Sequence, residues 1–162
     1  MKIAVVRKRF SAAGTGGGAE RYGAMAVAEL IKRGHEITVF SAEFIGKPPK
    51  GLHWVKVPCN DYLTFCPPLN FSRQVRKVLN PKNFDVVYSL CRIYPADIVR
   101  ATEHLHALWV PMMYPLPELA KYLPRNLGIS KLERETYNPK NTSIVVTNSN
   151  LIKDHIIACY GS

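Results

Sequence analysis

The sequence predicts a three-layer α/β domain: a parallel sheet with helices on both faces. Three observations carry that prediction. The first is a strand–helix–strand unit at the N-terminus. Ile3-Ala4-Val5-Val6 is a continuous apolar run, Met25, Ala28, Leu30 and Ile31 follow with helical spacing, and Glu36-Ile37-Thr38-Val39-Phe40 is a second strand-like run. The second is that strand-like and helical segments keep alternating toward the C-terminus, the pattern that builds covered parallel sheets. The third is size: 162 residues, 47% of them hydrophobic, suffice for one domain with a real core.

Taken in order, the first strand is expected over residues 2–7 and a long loop over 8–17. A helix is predicted from Gly18 to Arg33, stopped by Gly34, and then a strand over His35–Ser41. Residues 46–51, flanked by Gly46 and Gly51 with Pro48-Pro49 between, read as a turn. Trp54–Val57 alternates like a third strand closed by Pro58. A helix is expected from Leu69 to Leu79, behind Pro67-Pro68. Asp85–Leu90 reads as a buried strand and Ile98–Thr102 as a further short one. Pro111, Pro115, Pro117 and Pro124 exclude long helices from residues 111–125. A helix is expected over Ser130–Tyr137, a last strand over Ser143–Thr147, and a final helix over Asn150–Tyr160 with Ser149 as its cap.

Net charge is +10, from 22 basic and 12 acidic residues. Such a surplus favours partners that carry phosphate: a nucleotide, a phospholipid surface or a nucleic acid. No helix-turn-helix, zinc-finger or aromatic RNA-binding pattern accompanies it, so nucleic acid is not the expected partner, although a basic nucleic-acid-binding module is one rival reading. No apolar run approaches the ~18 residues of a spanning helix. The apolar part of the N-terminus is too short for a signal peptide, and a cytoplasmic protein is expected. Cys59, Cys66, Cys91 and Cys159 form no C-x-x-C pair, so reduced thiols are expected. His104 and His106 find no further Cys or His cluster, so no metal is expected.

The chemistry concentrates at Gly14-Thr15-Gly16-Gly17-Gly18-Ala19-Glu20-Arg21. Successive glycines at a helix start leave backbone N–H groups uncovered, and the helix dipole adds positive potential, so an anion site is expected there. Gly14, Gly16 and Ala19 formally match a dinucleotide fingerprint, with Glu43 near the end of the second strand. In that fingerprint the first glycine follows its strand almost at once. Here about six residues separate Arg7 from Gly14, a wide loop suited to a bulkier ligand. A nicotinamide-dependent oxidoreductase domain is the second rival. Ligands of such sheets bind at the carboxyl ends of the strands, which puts the glycine loop and the loops at 91–95 and 103–109 along one rim.

Three segments in order carry a family resemblance. They are Gly17-Gly18-Ala19-Glu20-Arg21 with Lys32-Arg33-Gly34-His35-Glu36, then Arg100-Ala101-Thr102-Glu103-His104-Leu105-His106-Ala107-Leu108-Trp109, then Leu132-Glu133-Arg134-Glu135-Thr136-Tyr137 with Val145-Val146-Thr147-Asn148-Ser149 and Tyr160-Gly161. Over residues 2–161 the chain resembles the N-terminal domain of retaining GT-B glycosyltransferases of family 4, a family that includes lipopolysaccharide-core glucosyltransferases. The resemblance implies a Rossmann-like half of a GT-B fold. Residues 1–162 would be the acceptor-binding domain, with the C-terminal donor-binding domain absent from this chain and the isolated domain inactive. It implies a UDP- or GDP-sugar as cosubstrate, no prosthetic group, and a glycan or glycolipid acceptor. By the same resemblance Gly17 and Gly18 would make backbone contacts to the donor diphosphate or to the acceptor. Read from the residues themselves, Arg21 is suited to a phosphate, Glu20 to the helix dipole and the acceptor side, and Arg7, Lys8 and Arg9, which follow the first strand onto the same rim, to a phosphorylated acceptor. Glu103 stands where the family usually has aspartate lining the acceptor cleft, and His106 matches its histidine; these two are the candidate catalytic residues. His104 replaces a small residue of the pattern. Residues 108–123 mix aromatic, Met and basic side chains, a composition suited to resting on an anionic membrane face.

Overall fold

At the centre of the molecule lies β1 (Lys2–Val6), buried from Ile3 to Val6 and paired in parallel on both edges. An unbroken apolar run fits that place, because a central parallel strand is covered on both faces. The computed structural model describes residues 1–62, 64–101 and 103–161. Beside β1 run β3 (Glu36–Ser41) and then β5 (Leu52–Lys56) on one side. On the other side run β6 (Val86–Ser89), β7 (Ala96–Ala101) and β8 (Thr142–Thr147). All five pairings are parallel. The chain therefore starts mid-sheet, moves out to β5, and crosses back to β6. The order reverses between β1 and β6, and the crevice beyond the carboxyl ends at such a reversal is where doubly wound sheets bind ligands.

Helix α1 (Gly18–Lys32) covers one face, where Val27 packs with Ile3, Val5, Ile37 and Val39. Gly34 ends it in the left-handed region, with φ +81°. On the opposite face α2 (Pro67–Val78) sets Phe71 and Val75 against Ala4, Val6, Phe40, Val87 and Val99. Two short helices, α3 (His106–Met113) and α4 (Pro117–Ala120), lead into α5 (Pro124–Thr136). Helix α5 lies on α2 through Cys66, Leu69, Ile129 and Leu132. Helix α6 (Asn150–Tyr160) buries Ile152 and Ile156 with Ala101, Leu105 and Tyr137. Ser149 caps it as expected, accepting from the Ile152 amide. These layers are the three-layer Rossmann-like arrangement that the sequence predicts. Among the described residues, no helix is long and apolar enough to cross a membrane.

The structure corrects two expectations. Residues 8–17 are not all loop: β2 (Arg9–Ser11) pairs in parallel with β4 (Glu43–Ile45), a small second sheet. Phe10 stacks on Phe44 and Phe44 leans on Trp54, with centroids 5.5 and 5.3 Å apart. Burial of these rings holds strands whose three residues are too few to show a period. Within residues 111–125 the described helices are short, as the prolines imply: α3 ends at Met113 and α4 spans four residues. The correction falls on the helix that follows. Pro124 opens α5, six residues before the expected Ser130, because a helix's first position needs no N–H. Pro111 sits inside α3, whose first amides are held by an outside carboxylate instead. Thr102, the expected end of the β7 strand, lies outside the described residues.

Candidate functional site

The glycine loop delivers Gly17 as the N-cap of α1, in extended backbone and with no side chain capping the helix. Gly17 and Gly18 are exposed, and a Cβ at Gly18 would meet nothing within 4 Å. The space in front of Gly18 is thus open, while the Glu20 and Arg21 amides already donate to the Gly17 carbonyl at 3.1 and 3.2 Å, leaving the Gly18 and Ala19 end of the turn to meet an anion. One carboxylate is already near. Glu20 folds back over the loop, its Oε2 3.2 Å from where a Gly17 Cβ would stand. Its own backbone amide, with help from Arg7 and against the effect of burial, holds the Glu20 carboxyl below the usual carboxylate range.

Arg7 bridges the reversal of strand order. Its Nη2 meets Glu20 Oε1 at 3.2 Å, its Nη1 donates to the Leu90 carbonyl past the end of β6, and its Nε donates to the Arg9 carbonyl. Arg9 pairs with Glu43 at 3.4 Å across the small sheet, and Lys8 pairs with Asp61. The three cations after β1 are therefore engaged by groups of this same chain. Arg21, by contrast, is exposed and has no ion pair among the described residues.

Along the same rim, beyond β6 and β7, Glu103 and His106 come together. Both line a cavity of about 390 Å³ with Arg92, Trp109, Tyr114 and Arg125. Glu103 is largely exposed and meets Arg92 Nη1 at 2.9 Å. His104 also lines the cavity, and its carbonyl accepts from Arg92 Nη2 at 2.8 Å. His106 is 6% exposed, and its Nε2 is buried without a hydrogen-bond partner. Burial pushes the imidazole below its ordinary pKa, with Arg92 and Arg125 adding to the effect and Glu133 and the neighbouring Asn126 side chain opposing it. A neutral ring with a free buried nitrogen is suited to hydrogen-bonding a ligand hydroxyl. Gly17, Gly18 and Arg21 do not line this cavity.

Under the cavity lies a residue to which sequence reasoning gave no role. Glu133 of α5 is fully buried. One carboxylate oxygen accepts from the His106 amide at 2.8 Å and lies 3.1 Å from Arg92 Nη2. The other accepts from the Ala107 amide at 3.2 Å and the Tyr160 hydroxyl at 2.8 Å. Burial acts against the charge on Arg92, yet the Glu133 and Glu103 carboxylates outweigh it and raise the guanidinium's pKa. Glu133 thus fixes the start of α3, and with it the position of His106, while occupying the anion site that α3 itself would offer. A signal for it exists in the sequence: Ile129, Leu132, Glu133 and Thr136 recur at the spacing of a buried helical face, where a carboxylate needs partners.

Comparison with known proteins is consistent with this geometry. Residues 16–162 match Glycosyltransferase Family 4. Comparison with curated protein sequences gives no match. Among solved structures, the fold matches the crystal structure of WaaG, described as a glycosyltransferase involved in lipopolysaccharide biosynthesis. The TM-score is 0.84 at 17% identity, and the match covers 99% of this chain. The chain spans 42% of the length of that protein. With nearly all of its length inside the family match, the chain belongs to glycosyltransferase family 4.

Proposed function

We propose that this chain is the acceptor-binding, N-terminal half of a glycosyltransferase. The whole enzyme moves a hexose from a UDP- or GDP-sugar to a cell-envelope glycan or glycolipid, with retention, and a second, donor-binding domain completes the cleft. The observation that carries the reading is the buried, unpartnered Nε2 of His106 in the wall of a cavity that also presents Glu103, Trp109 and Tyr114. A buried polar atom without a partner is costly, and a sugar hydroxyl satisfies it. Aromatic faces beside a few fixed polar groups are the general make-up of a small-molecule site.

In this reading Gly17 and Gly18 leave room for the donor diphosphate at the start of α1, and the free cation of Arg21 supports it. Departure of the nucleotide builds charge on the diphosphate, and helix amides stabilise charge that develops there. Glu103 orients an acceptor hydroxyl, the departing phosphate serving as its base. Arg7, Arg9 and Glu20 shape the acceptor side, reaching a substrate by exchanging the pairs they now hold. The enzyme works in the cytoplasm on the membrane face, supported by the exposed apolar side chains Met112, Met113, Leu116 and Leu119. The involvement of WaaG in lipopolysaccharide biosynthesis supports the choice of acceptor class.

The test joins this chain to its donor-binding half and measures nucleotide release. Gly18→Val and His106→Ala each lower turnover by about a hundredfold, with circular dichroism unchanged. Normal turnover in both variants overturns the assignment.

A further inference from the structure

Glu103 is poorly placed to hold still. Its side chain is flexible and 73% exposed, and it stands on the short segment between β7 and α3, outside any helix or strand. A carboxylate that orients one hydroxyl must be fixed within hydrogen-bond reach of it. Among the described residues, one group meets this carboxylate: Arg92, whose Nη1 donates to it at 2.9 Å.

Arg92 is itself held from every side. It follows β6, and its chain neighbours are anchored. The Ser89 hydroxyl donates to the Cys91 carbonyl at 2.6 Å and accepts from the Cys91 amide at 3.3 Å, while Ile93 is buried in the core with Phe71 and Val99. The Arg92 side chain is 16% exposed. Its Nη2 donates to the His104 carbonyl at 2.8 Å and lies 3.1 Å from the Glu133 oxygen that also accepts from the His106 amide. Its Nε is buried without a hydrogen-bond partner among the described residues. An idle buried N–H is costly, so this seat does not serve the guanidinium's own donors best. It aims the two terminal nitrogens at the groups that carry Glu103 and His106. A planar fork fixes both directions at once, which the single ammonium of lysine does not.

We propose that Arg92 is the positioning residue of this site: it holds the Glu103 carboxylate at the cavity wall and, through Glu133, in fixed relation to His106. The inference rests on the reading of Glu103 as the group that orients an acceptor hydroxyl, and it names the residue through which that role works. Exposed ion pairs usually contribute little, because two long side chains must be ordered for one contact. Here the guanidinium is ordered beforehand, and Glu103 alone loses freedom.

The experiment joins this chain to its donor-binding half. It follows nucleotide release from UDP-glucose and from GDP-mannose, with lipopolysaccharide core oligosaccharide as the acceptor probe. Arg92→Lys keeps a positive charge opposite Glu133 but loses the fork. Glu103→Asp draws the carboxylate back by one methylene, about 1.5 Å, off Nη1. Each should lower kcat about tenfold and leave the donor KM within about twofold, the mark of misplacement rather than lost binding. The double variant should be no slower than the slower single one, because both break the same contact. Losses that multiply to about a hundredfold overturn the proposal, since Arg92 then acts on the substrate by itself. So does a rise in KM alone, or an unchanged kcat in Glu103→Asp. That last variant alters an exposed side chain, so it decides the matter even where Arg92→Lys does not fold. Glu103→Gln tells the readings apart. If it is slow while Arg92→Lys and Glu103→Asp match the parent, this inference fails and the role of Glu103 stands. If it too matches the parent, or if the joined parent releases no nucleotide, the reading of Glu103 fails and this inference with it.

Discussion

At the scale of single residues the molecule turns on Glu133. Four donors converge on one carboxylate from α3, α6 and the segment after β6. Glu133→Gln keeps the shape but removes the charge that balances the nearly buried Arg92. Removing one partner of a buried pair typically costs about 3–5 kcal/mol, so urea denaturation should show a loss of that order. Because the amide still reaches some of the donors, the lower end is expected. His106 gives a second residue-level prediction, in pH. Its folded pKa lies below the ordinary value of 6.5. Between the folded value and 6.5 the unfolded chain holds more protons than the folded one, so stability rises with pH there. The His106 contribution is complete above 6.5 and is lost as pH falls through the folded value. His106→Gln should flatten this part of the profile just below 6.5 in urea midpoints, and an unchanged slope would assign the titration to another group.

At the scale of elements, closeness between helices sets the tolerances. Gly128 of α5 faces α2, and a Cβ built there lies 2.7 Å from Cys66 Cβ and 2.8 Å from its sulfur. The sulfur can rotate about χ1, but the Cβ is fixed to the backbone, so α5 must move off α2. Gly128→Ala should cost about 1–3 kcal/mol as overpacking, although alanine is the better helix former. A thermal melt equal to or above that of the parent chain would show that the two helices slide apart freely. The same element pair shows what the sequence could reveal. The strands β1, β3 and β6 and the helix α1 were legible because each buries a continuous or periodic apolar set of its own. Glu103 and His106 were legible as neighbours because four consecutive positions carry them to one strand end. The engagement of Arg7 with Glu20 and Leu90, and of Arg92 with Glu133, was not legible, since those partners meet only once separate strands end side by side. Nor were β2 and β4, whose stability is an aromatic stack between distant residues rather than a local pattern.

At the scale of the whole molecule, the charge of +10 acts together with an unusual apolar surface. The cations at the sheet's rim are largely compensated: Arg7, Lys8, Arg9 and Arg92 each hold a carboxylate of this chain. The surplus therefore lies elsewhere, including Arg125 and Arg134 on α5, which carry no ion pair among the described residues. Helix α5 follows directly on the segment where Met112, Leu116, Leu119 and Tyr122 are each more than 60% exposed. An apolar stretch next to basic residues is the composition of a surface that settles on anionic lipid, each part too weak alone. The expected result is co-sedimentation with vesicles containing anionic phospholipid and little with neutral ones. Binding should fall as salt shortens the Debye length from about 10 Å at 0.1 M to about 3 Å at 1 M. Replacing Met112, Leu116 and Leu119 together by serine should abolish binding even at low salt. These side chains are exposed, so folding should change by no more than about 0.5 kcal/mol per site. Salt-insensitive binding would mean the basic surplus takes no part. Unchanged binding by the triple variant would mean charge alone holds the chain, and the apolar face would then be free to serve a protein partner instead.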